Sequence, residues 1–342
     1  VLKSLDAEMQ TKLIKAVRPA RIVYFTTGHG ERDTAQATPD GRSALNDFKQ
    51  LLDAQGFSQK RYGLAEGSSG DVPNDATLVV VAGATQGLLQ SELDGLQAYL
   101  NKGGRLLLLS EAGDANAMQP VASLVGVTLG KAPVAATQNR VRMKDRGDSP
   151  YFWATGSVPP HASQETLSKA GGRAPLVIIN GCAVTKKTDA AKELTITGIL
   201  KSGVDAWEDA NGNGTAEDPS EKRGQIEIAQ AVEEKVASAA ADTKPARAII
   251  VGDTDMAANG VLSEVQGNAV FFIDGLRWLA GDDTISGQPA TEKDVPILHR
   301  KEQDSVWFFG TSFLVPAIVL GAGLTMSKRA RRSRSSQDNS NG

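Results

Sequence analysis

The feature that most constrains this chain is an uncharged run near its C-terminus, at residues 305–326, which reads SVWFFGTSFLVPAIVLGAGLTM. A helix that spans a membrane needs about 20 mostly apolar residues, because it rises about 1.5 Å per residue through a hydrocarbon core of about 30 Å. The run therefore predicts a transmembrane helix. The alternative is a buried helix of a soluble domain, which Pro316, Gly321 and Gly323 favour because proline and glycine weaken helices in water.

The charges that flank this run predict its orientation. Lysine and arginine are concentrated after it, within residues 328–334, whereas basic and acidic residues balance each other before it. Because positively charged flanks stay in the cytoplasm, the domain that precedes the run is predicted to lie outside the cytoplasm. The basic residues are also expected to contact anionic membrane lipid. No signal peptide is visible at Val1, so an upstream signal or spanning segment is expected before it.

Composition limits the remaining possibilities. The chain has 342 residues and a formal net charge of -3, which implies no general attraction to nucleic acid. Cys182 is the single cysteine, so no disulfide can form within the chain.

An alternation of strands and helices predicts the fold class. Apolar or β-branched runs at 21–25, 78–82, 105–109 and 246–251 are each followed by a polar loop, and in most cases by an amphipathic helical pattern. This rhythm is typical of a parallel sheet with helices on both faces. We therefore expect an α/β fold with a doubly wound, mostly parallel sheet, a β-rich insertion and the C-terminal transmembrane helix.

The same patterns predict the organisation of the chain along its length. Between the α/β segments, the chain is rich in Pro, Gly, Ser and charged residues around shorter apolar runs. The predicted divisions are an N-terminal helix and linker at 1–20, an α/β domain at 21–130 and 246–283, an inserted irregular β-rich region at 131–245, a linker at 284–304, the transmembrane helix at 305–326 and a basic cytoplasmic tail at 327–342.

Loops that follow the parallel strands are the expected place for a functional site, because ligands bind beyond the carboxyl ends of such strands. The loop TTGHGE is the richest of them, since its glycines let the backbone approach a ligand and its histidine can transfer a proton near neutral pH. The predicted ligand-binding residues are Thr27, Gly28, His29, Gly30, Glu31, Thr85, Glu111, Asp253 and Asp255.

His29 supports two interpretations. It is a candidate general base that Glu31 orients, or it belongs to a structural turn and hydrogen-bonds a neighbouring loop. No G-x-S-x-G nucleophile motif accompanies it, so no catalytic residue is assigned. A dinucleotide-binding reading fails because Arg32 and Asp33 follow where a third glycine is needed, and no cofactor is expected.

The segment DANGNGTAEDPSE resembles the opening of a calcium-binding loop. Asp209, Asn211 and Asn213 alternate, as oxygen ligands around a hard cation do, and Gly214 permits the sharp turn. Position twelve is Ser220 instead of glutamate, and Glu221 is one residue late. A hairpin loop rich in Asx turns is therefore favoured over a metal site.

Several motifs together carry a resemblance to a known family: VYFTTGHGE, VVVAGATQGLLQSELDGLQAYLNKGGRLLLLSE, IIVGDTDMAANG and GNAVFFIDGLRWLAGDDTI, followed by the apolar run and its arginine-rich tail. Across most of residues 22–334 the chain resembles the GldG-type auxiliary subunits of ABC transport systems, the gliding-motility-associated family. Members usually carry another membrane segment and more domain before the GHGE loop.

The resemblance implies a glutamine-amidotransferase-like or flavodoxin-like α/β domain that works beside an ABC permease and a separate ATPase. We accordingly expect a non-enzymatic, membrane-anchored accessory component of a bacterial transport system, single-pass in the inner membrane, whose domain binds a ligand or partner subunit. The chain has no Walker A motif. The alternative function is a membrane-tethered hydrolase or amidotransferase-like enzyme that uses His29.

Overall fold

The computed structural model describes residues 21–32, 44–63, 66–67, 70–142, 147–235, 244–282, 308–322 and 324. The chain divides into two compact units, Val1–Ile285 and Ser286–Gly342. The predicted N-terminal helix, the 284–304 linker and the basic tail lie outside the described residues.

The first unit is built on a seven-stranded mixed sheet. Five strands are mutually parallel: β1 (Arg21–Thr26), β2 (Phe57–Tyr62), β3 (Leu78–Ala82), β4 (Arg105–Leu109) and β12 (Arg247–Val251). Their spatial order is β2-β1-β3-β4-β12, the order of flavodoxin-like doubly wound sheets. In this order the crevice for a ligand lies between the carboxyl ends of β1 and β3, where the winding direction reverses.

Helices cover both faces of the sheet because its central strands are apolar throughout. In β3, Leu78 and Val80 face one core while Val79 and Val81 face the other. The described α-helices of the first unit are α1 (Asn46–Ala54), α2 (Gln90–Asn101), α3 (Ala115–Leu124), α4 (Glu165–Ala170), α5 (Val261–Glu264) and α6 (Gln266–Leu279). Buried side chains of α1 and α6 pack in the first core, and those of α2 and α3 pack in the second.

Two antiparallel strands widen the main sheet beyond β12. They are β9 (Leu194–Lys201) and β11 (Glu227–Glu234), in the order β12-β11-β9. The remaining strands form two small sheets: β5 (Val127–Ala135), β8 (Cys182–Lys186) and β10 (Trp207–Glu208) in one, and β6 (Phe152–Thr155) with β7 (Leu176–Ile179) in the other. The region predicted as a β-rich insertion thus supplies strands to the main sheet as well as to the small ones.

The second unit is described over a short helical segment. Residues 308–322 and 324 are helical, and Gly310–Leu314 form a π-helical turn within them. Among the residues that the structure describes, no helix combines the length and the apolar character that crossing a bilayer requires. The transmembrane helix predicted over 305–326 is therefore wrong, and so is the predicted single-pass placement in the bacterial inner membrane. The lipid contact predicted for residues 328–334 lies outside the described part of the chain.

Candidate functional site

The loop after β1 and the loop after β3 meet at the reversal point of the sheet. The backbone N–H of Gln86 donates to the His29 carbonyl oxygen at 2.9 Å, and the N–H of Arg32 donates to Ala82 at 2.9 Å. Gly30 has a φ of +73°, which glycine tolerates best, and a Cβ at this position would collide with Thr85 Oγ1. The crevice expected to receive a ligand is thus filled by these two loops themselves.

The His29 imidazole lies between two carboxylates. Its Nδ1 is 3.2 Å from Glu31 Oε1, and its Nε2 is 2.9 Å from Glu92 Oε2. The ring is buried, and Glu92, in the first turn of α2, is only 2% exposed. Because the described partners of both ring nitrogens are carboxylate oxygens, neither nitrogen faces a hydroxyl or thiol that it could activate. This arrangement supports the structural interpretation of His29 over the general base.

Glu92 was missed by the sequence analysis, although its local role is readable. Its Oε2 accepts the backbone N–H of Leu89 at 3.0 Å, so Glu92 reaches back to close the first turn of α2. The same oxygen faces His29, which ties the start of α2 to the loop after β1.

Arg32 organises a second cluster at the same edge of the sheet. Its buried guanidinium pairs with Asp255 Oδ1 at 2.5 Å through Nη1 and with Glu111 Oε1 through Nη2. Burial lowers the pKa of Arg32, but the two carboxylates outweigh burial and the pKa is raised. Arg32 was considered in the sequence only as a break in a glycine motif, yet it connects the loops after β1, β4 and β12.

Asp253 lies behind this cluster and is completely buried. Its Oδ2 accepts the backbone N–H of Ile179 at 2.7 Å. Burial raises the pKa of Asp253 well above its ordinary value, and the negative charges of Asp255 and Glu111 raise it further. One guanidinium, that of Arg32, therefore lies near three carboxyl groups and pairs with two of them. The third, that of Asp253, is the one that retains its proton most readily.

Cys182 is buried on β8, close enough to the cluster for its charges to act on the thiol. Burial raises the pKa of Cys182, and the carboxylates of Asp114, Asp253 and Glu111 raise it further. A thiol with a raised pKa is a poor nucleophile, because the thiolate is the reactive form. The Ser110 hydroxyl is already used in a hydrogen bond, since its Oγ donates to Asp114 Oδ1 at 2.6 Å.

A cleft of about 650 Å³ opens on the outer side of the same loop, at the carboxyl ends of β1 and β2. Lys49 and Lys60 are exposed at this cleft. Arg61 Nη1 lies 3.8 Å from Glu66 Oε1, and both of these side chains are exposed. The described lining residues are Phe25, Thr26, Thr27, Gly28, Gly30, Glu31, Arg32, Lys49, Gln59, Lys60, Arg61 and Glu66.

A larger cleft of about 920 Å³ lies at the opposite edge, beside the amino ends of β3, β4 and β12. Arg105 in its wall donates to the carbonyl oxygens of Leu279, at 2.9 Å, and of Gly103, at 2.9 Å. These backbone hydrogen bonds already use the Arg105 guanidinium. Because ligands of such sheets bind at the carboxyl ends of the strands, the smaller cleft is the better candidate for a ligand-binding site.

The predicted site residues therefore separate into two groups. Thr27, Gly28, Gly30 and Glu31 line the smaller cleft, with His29 buried beneath them. Glu111, Asp253 and Asp255 instead belong to the internal cluster around Arg32. Thr85 contacts the His29 carbonyl oxygen at 3.5 Å. Asp209, Asn211 and Asn213 lie apart from both groups, in the loop that follows β10.

No protein-family model and no curated protein matches the chain. Solved structures that are similar include the mmIFT52 N-terminal domain, with 14% sequence identity and a TM-score of 0.49 over 75% of this chain and 97% of that one. A ThuA-like protein from Bacteroides uniformis ATCC 8492 has 14% identity and a TM-score of 0.41 over 76% and 91%. A ThuA-like protein from Parabacteroides merdae ATCC 43184 has 10% identity and a TM-score of 0.41 over 78% and 91%. Likenesses this weak carry no functional assignment, and nothing in them or in the described residues positively indicates an enzymatic activity.

Proposed function

We propose that the chain is a non-catalytic accessory component of a bacterial ABC-type transport system, and that its α/β domain binds a ligand or partner subunit at the 650 Å³ cleft. The observation that carries this proposal is that the two sides of the loop after β1 have different roles. Its outer side lines an open cleft, while its one histidine is held internally by Glu31 and Glu92. Such a loop presents a shaped surface without an activated nucleophile.

The chemistry of the rim indicates what would bind there. Lys49 on α1 and Lys60 and Arg61 on β2 bring three cationic side chains to the cleft. Glu31 is already engaged with His29. Lys60 Nζ lies 2.8 Å from Asp75 Oδ2 and Arg61 Nη1 lies 3.8 Å from Glu66 Oε1, but these exposed pairs are screened by solvent and offset only part of the positive charge. A partner that presents acidic side chains is therefore favoured, because complementary charge speeds encounter and selects the correct face.

The resemblance of the sequence motifs to GldG-type subunits supports the choice of partner, namely the permease and the ATPase of an ABC system. The chain itself has no Walker A motif, so ATP hydrolysis falls to a separate subunit. The hydrolase alternative has no comparable support, because the imidazole of His29 contacts carboxylates and the thiol of Cys182 is buried.

Affinity capture from the source cells tests the proposal. The chain is expected to capture an ABC permease and its ATPase, identified by mass spectrometry. A double charge reversal at the cleft, Lys49→Glu with Arg61→Glu, is expected to reduce this capture at least about tenfold. The matched control is Lys186→Glu with Lys192→Glu, which reverses two exposed lysines away from the cleft and should leave capture unchanged. Failure to capture ABC subunits, or equal capture by both variants, would contradict the proposal.

A further inference from the structure

The loop that follows β10 holds a carboxylate which is almost completely buried. Asp209 is 1% exposed. Its Oδ1 accepts the backbone N–H of Gly212 at 2.9 Å, and its Oδ2 accepts the N–H of Gly214 at 2.7 Å and the hydroxyl of Tyr151 at 2.5 Å. The loop is thus wrapped around the Asp209 side chain.

A second carboxylate enters the loop from its far end. Glu221 is 7% exposed, and its Oε1 accepts the backbone N–H groups of Ala210 at 3.0 Å and Asn211 at 3.3 Å. Its other oxygen, Oε2, is buried and has no hydrogen-bond partner among the described residues. An unpaired carboxylate oxygen in a buried position is costly and calls for a specific explanation.

No cation within the described residues compensates these two groups. None of the ion pairs in that part of the chain joins Asp209 or Glu221 to a lysine or arginine. The described partners of the two carboxylates are backbone N–H groups and the Tyr151 hydroxyl.

We propose that this loop is a Ca²⁺ site whose side-chain ligands are Asp209, Asn211, Asn213 and Glu221. Ca²⁺ takes oxygen ligands from carboxylates, amides and backbone carbonyls in a flexible shell, and loops that bind it supply ligands at alternate positions before a glycine. Here Asp209, Asn211 and Asn213 alternate, and Gly214 has a φ of +72°.

The one-residue offset of Glu221 does not prevent closure of the loop. The chain turns back on itself just before Glu221, where the N–H of Glu221 donates to the Asp218 carbonyl oxygen at 2.9 Å. This turn brings the Glu221 carboxylate to the N–H groups at the start of the loop. The described residues include no group of three or more His, Cys, Asp or Glu side chains fit for a metal. A calcium loop does not need such a group, since amide and backbone oxygens complete its shell, whereas Zn²⁺ favours nitrogen and sulfur ligands.

Calorimetric titration and thermal unfolding of the full chain, stripped with EDTA, test this site independently of the proposed transport function. The wild type is expected to bind Ca²⁺ with a Kd between about 10⁻⁵ and 10⁻³ M, and to unfold at a higher temperature with Ca²⁺ than with Mg²⁺. Glu221→Gln should weaken Ca²⁺ binding at least about tenfold. In EDTA, the same variant should unfold no lower than the wild type, because it removes an uncompensated buried charge.

Asp218→Asn is the matched control, since it removes an exposed carboxylate from the same loop and should keep the wild-type affinity. Four results would overturn the proposal. The wild type could show neither heat nor a thermal shift with Ca²⁺ up to about 10 mM. Glu221→Gln could retain wild-type affinity. It could unfold at a lower temperature than the wild type in EDTA, which would indicate a purely internal structural role. Asp218→Asn could lose as much affinity as Glu221→Gln, which would indicate nonspecific attraction.

Discussion

Two of the described regions that bury carboxylates compensate the charge differently. At the carboxyl edge of the sheet, Arg32 pairs with Glu111 and Asp255. In the loop after β10, Asp209 and Glu221 have only backbone N–H groups and one hydroxyl as described partners. The first region contains its own cation, whereas in our proposal the second takes a cation from outside the protein.

This difference distinguishes carboxylates that stabilise the fold from carboxylates that are available to bind a ligand. A buried carboxylate that is paired with a guanidinium ties elements together, and its paired oxygen is no longer available to a ligand. An unmatched buried carboxylate oxygen, such as Glu221 Oε2, keeps its binding capacity. The sequence-based choice of Glu111, Asp253 and Asp255 as ligand-binding residues did not make this distinction, because acidic residues after strands look alike until their partners are placed.

The largest expected effect comes from removing Arg32, the cation that pairs with the described carboxylates of the compensated region. Arg32→Met should lower the free energy of unfolding by about 3–5 kcal/mol, because it leaves the buried carboxylates without their partner. Equilibrium unfolding in urea measures this change.

Arg61→Met is the control for that measurement. Arg61 is about half exposed and lies 3.8 Å from Glu66, so the loss of this solvent-screened pair should change stability by less than about 1 kcal/mol. If both variants lose the same stability, the Arg32 cluster is not a compensated core and the contrast between the two regions fails.

The fold was more accessible from sequence than the site. Continuous apolar runs at Leu78–Ala82 and Arg105–Leu109 predict buried parallel strands, and the loop with His29 follows directly at a strand end. The pairing of His29 with Glu92 was not accessible, because it depends on where α2 begins relative to the loop after β1. Arg32 was missed for the same reason, since its partners lie far apart in the chain.

At the C-terminal apolar run the sequence predicted a feature that the structure does not show. An uncharged stretch at 305–326 satisfies the composition of a spanning helix, but composition does not determine how far one helix extends. The described helical segment begins at Phe308 and contains the π-helical turn at Gly310–Leu314, and no described helix is long and apolar enough to cross a membrane.

A pH series on Asp253→Asn tests whether the compensated region has one carboxyl group too many. The pKa of Asp253 is raised in the folded protein by burial and by the neighbouring carboxylates. Between the unfolded pKa of about 4 and the raised folded value, the native state holds a proton that the unfolded state releases. Wild-type stability therefore falls as pH rises through this window, by up to about 1.4 kcal/mol per pH unit.

The variant lacks this contribution, so its stability relative to the wild type should increase as pH rises from about pH 4. Urea unfolding at intervals between about pH 4 and pH 7 measures the difference. A difference that stays constant with pH would show that Asp253 does not hold the proton.

His29 is expected to have a smaller effect. His29→Leu leaves the buried Glu31 and Glu92 without their shared partner and should cost about 1–3 kcal/mol of stability. His29→Gln keeps a hydrogen-bond donor and should recover part of that loss, measured by urea unfolding. If both variants bind partners as well as the wild type, His29 positions the loop without contacting the ligand. If a variant that keeps wild-type stability binds a partner less well than the wild type, the imidazole itself makes the contact.

The smallest expected effect compares one glycine from each region. Gly30 and Gly212 have nearly equal φ angles, +73° and +72°, so alanine at either position adopts the left-handed conformation at a cost of about 1–2 kcal/mol. A Cβ at Gly30 also meets Thr85 Oγ1, whereas a Cβ at Gly212 meets nothing within 4 Å. Gly30→Ala should therefore destabilise more than Gly212→Ala, by about 1 kcal/mol. Adding Thr85→Ala should bring the Gly30→Ala loss down to that of Gly212→Ala, because only the steric part is removed. A double-mutant cycle by urea unfolding measures this coupling, and a coupling of zero would mean that the loops after β1 and β3 do not pack as closely as their hydrogen bonds indicate.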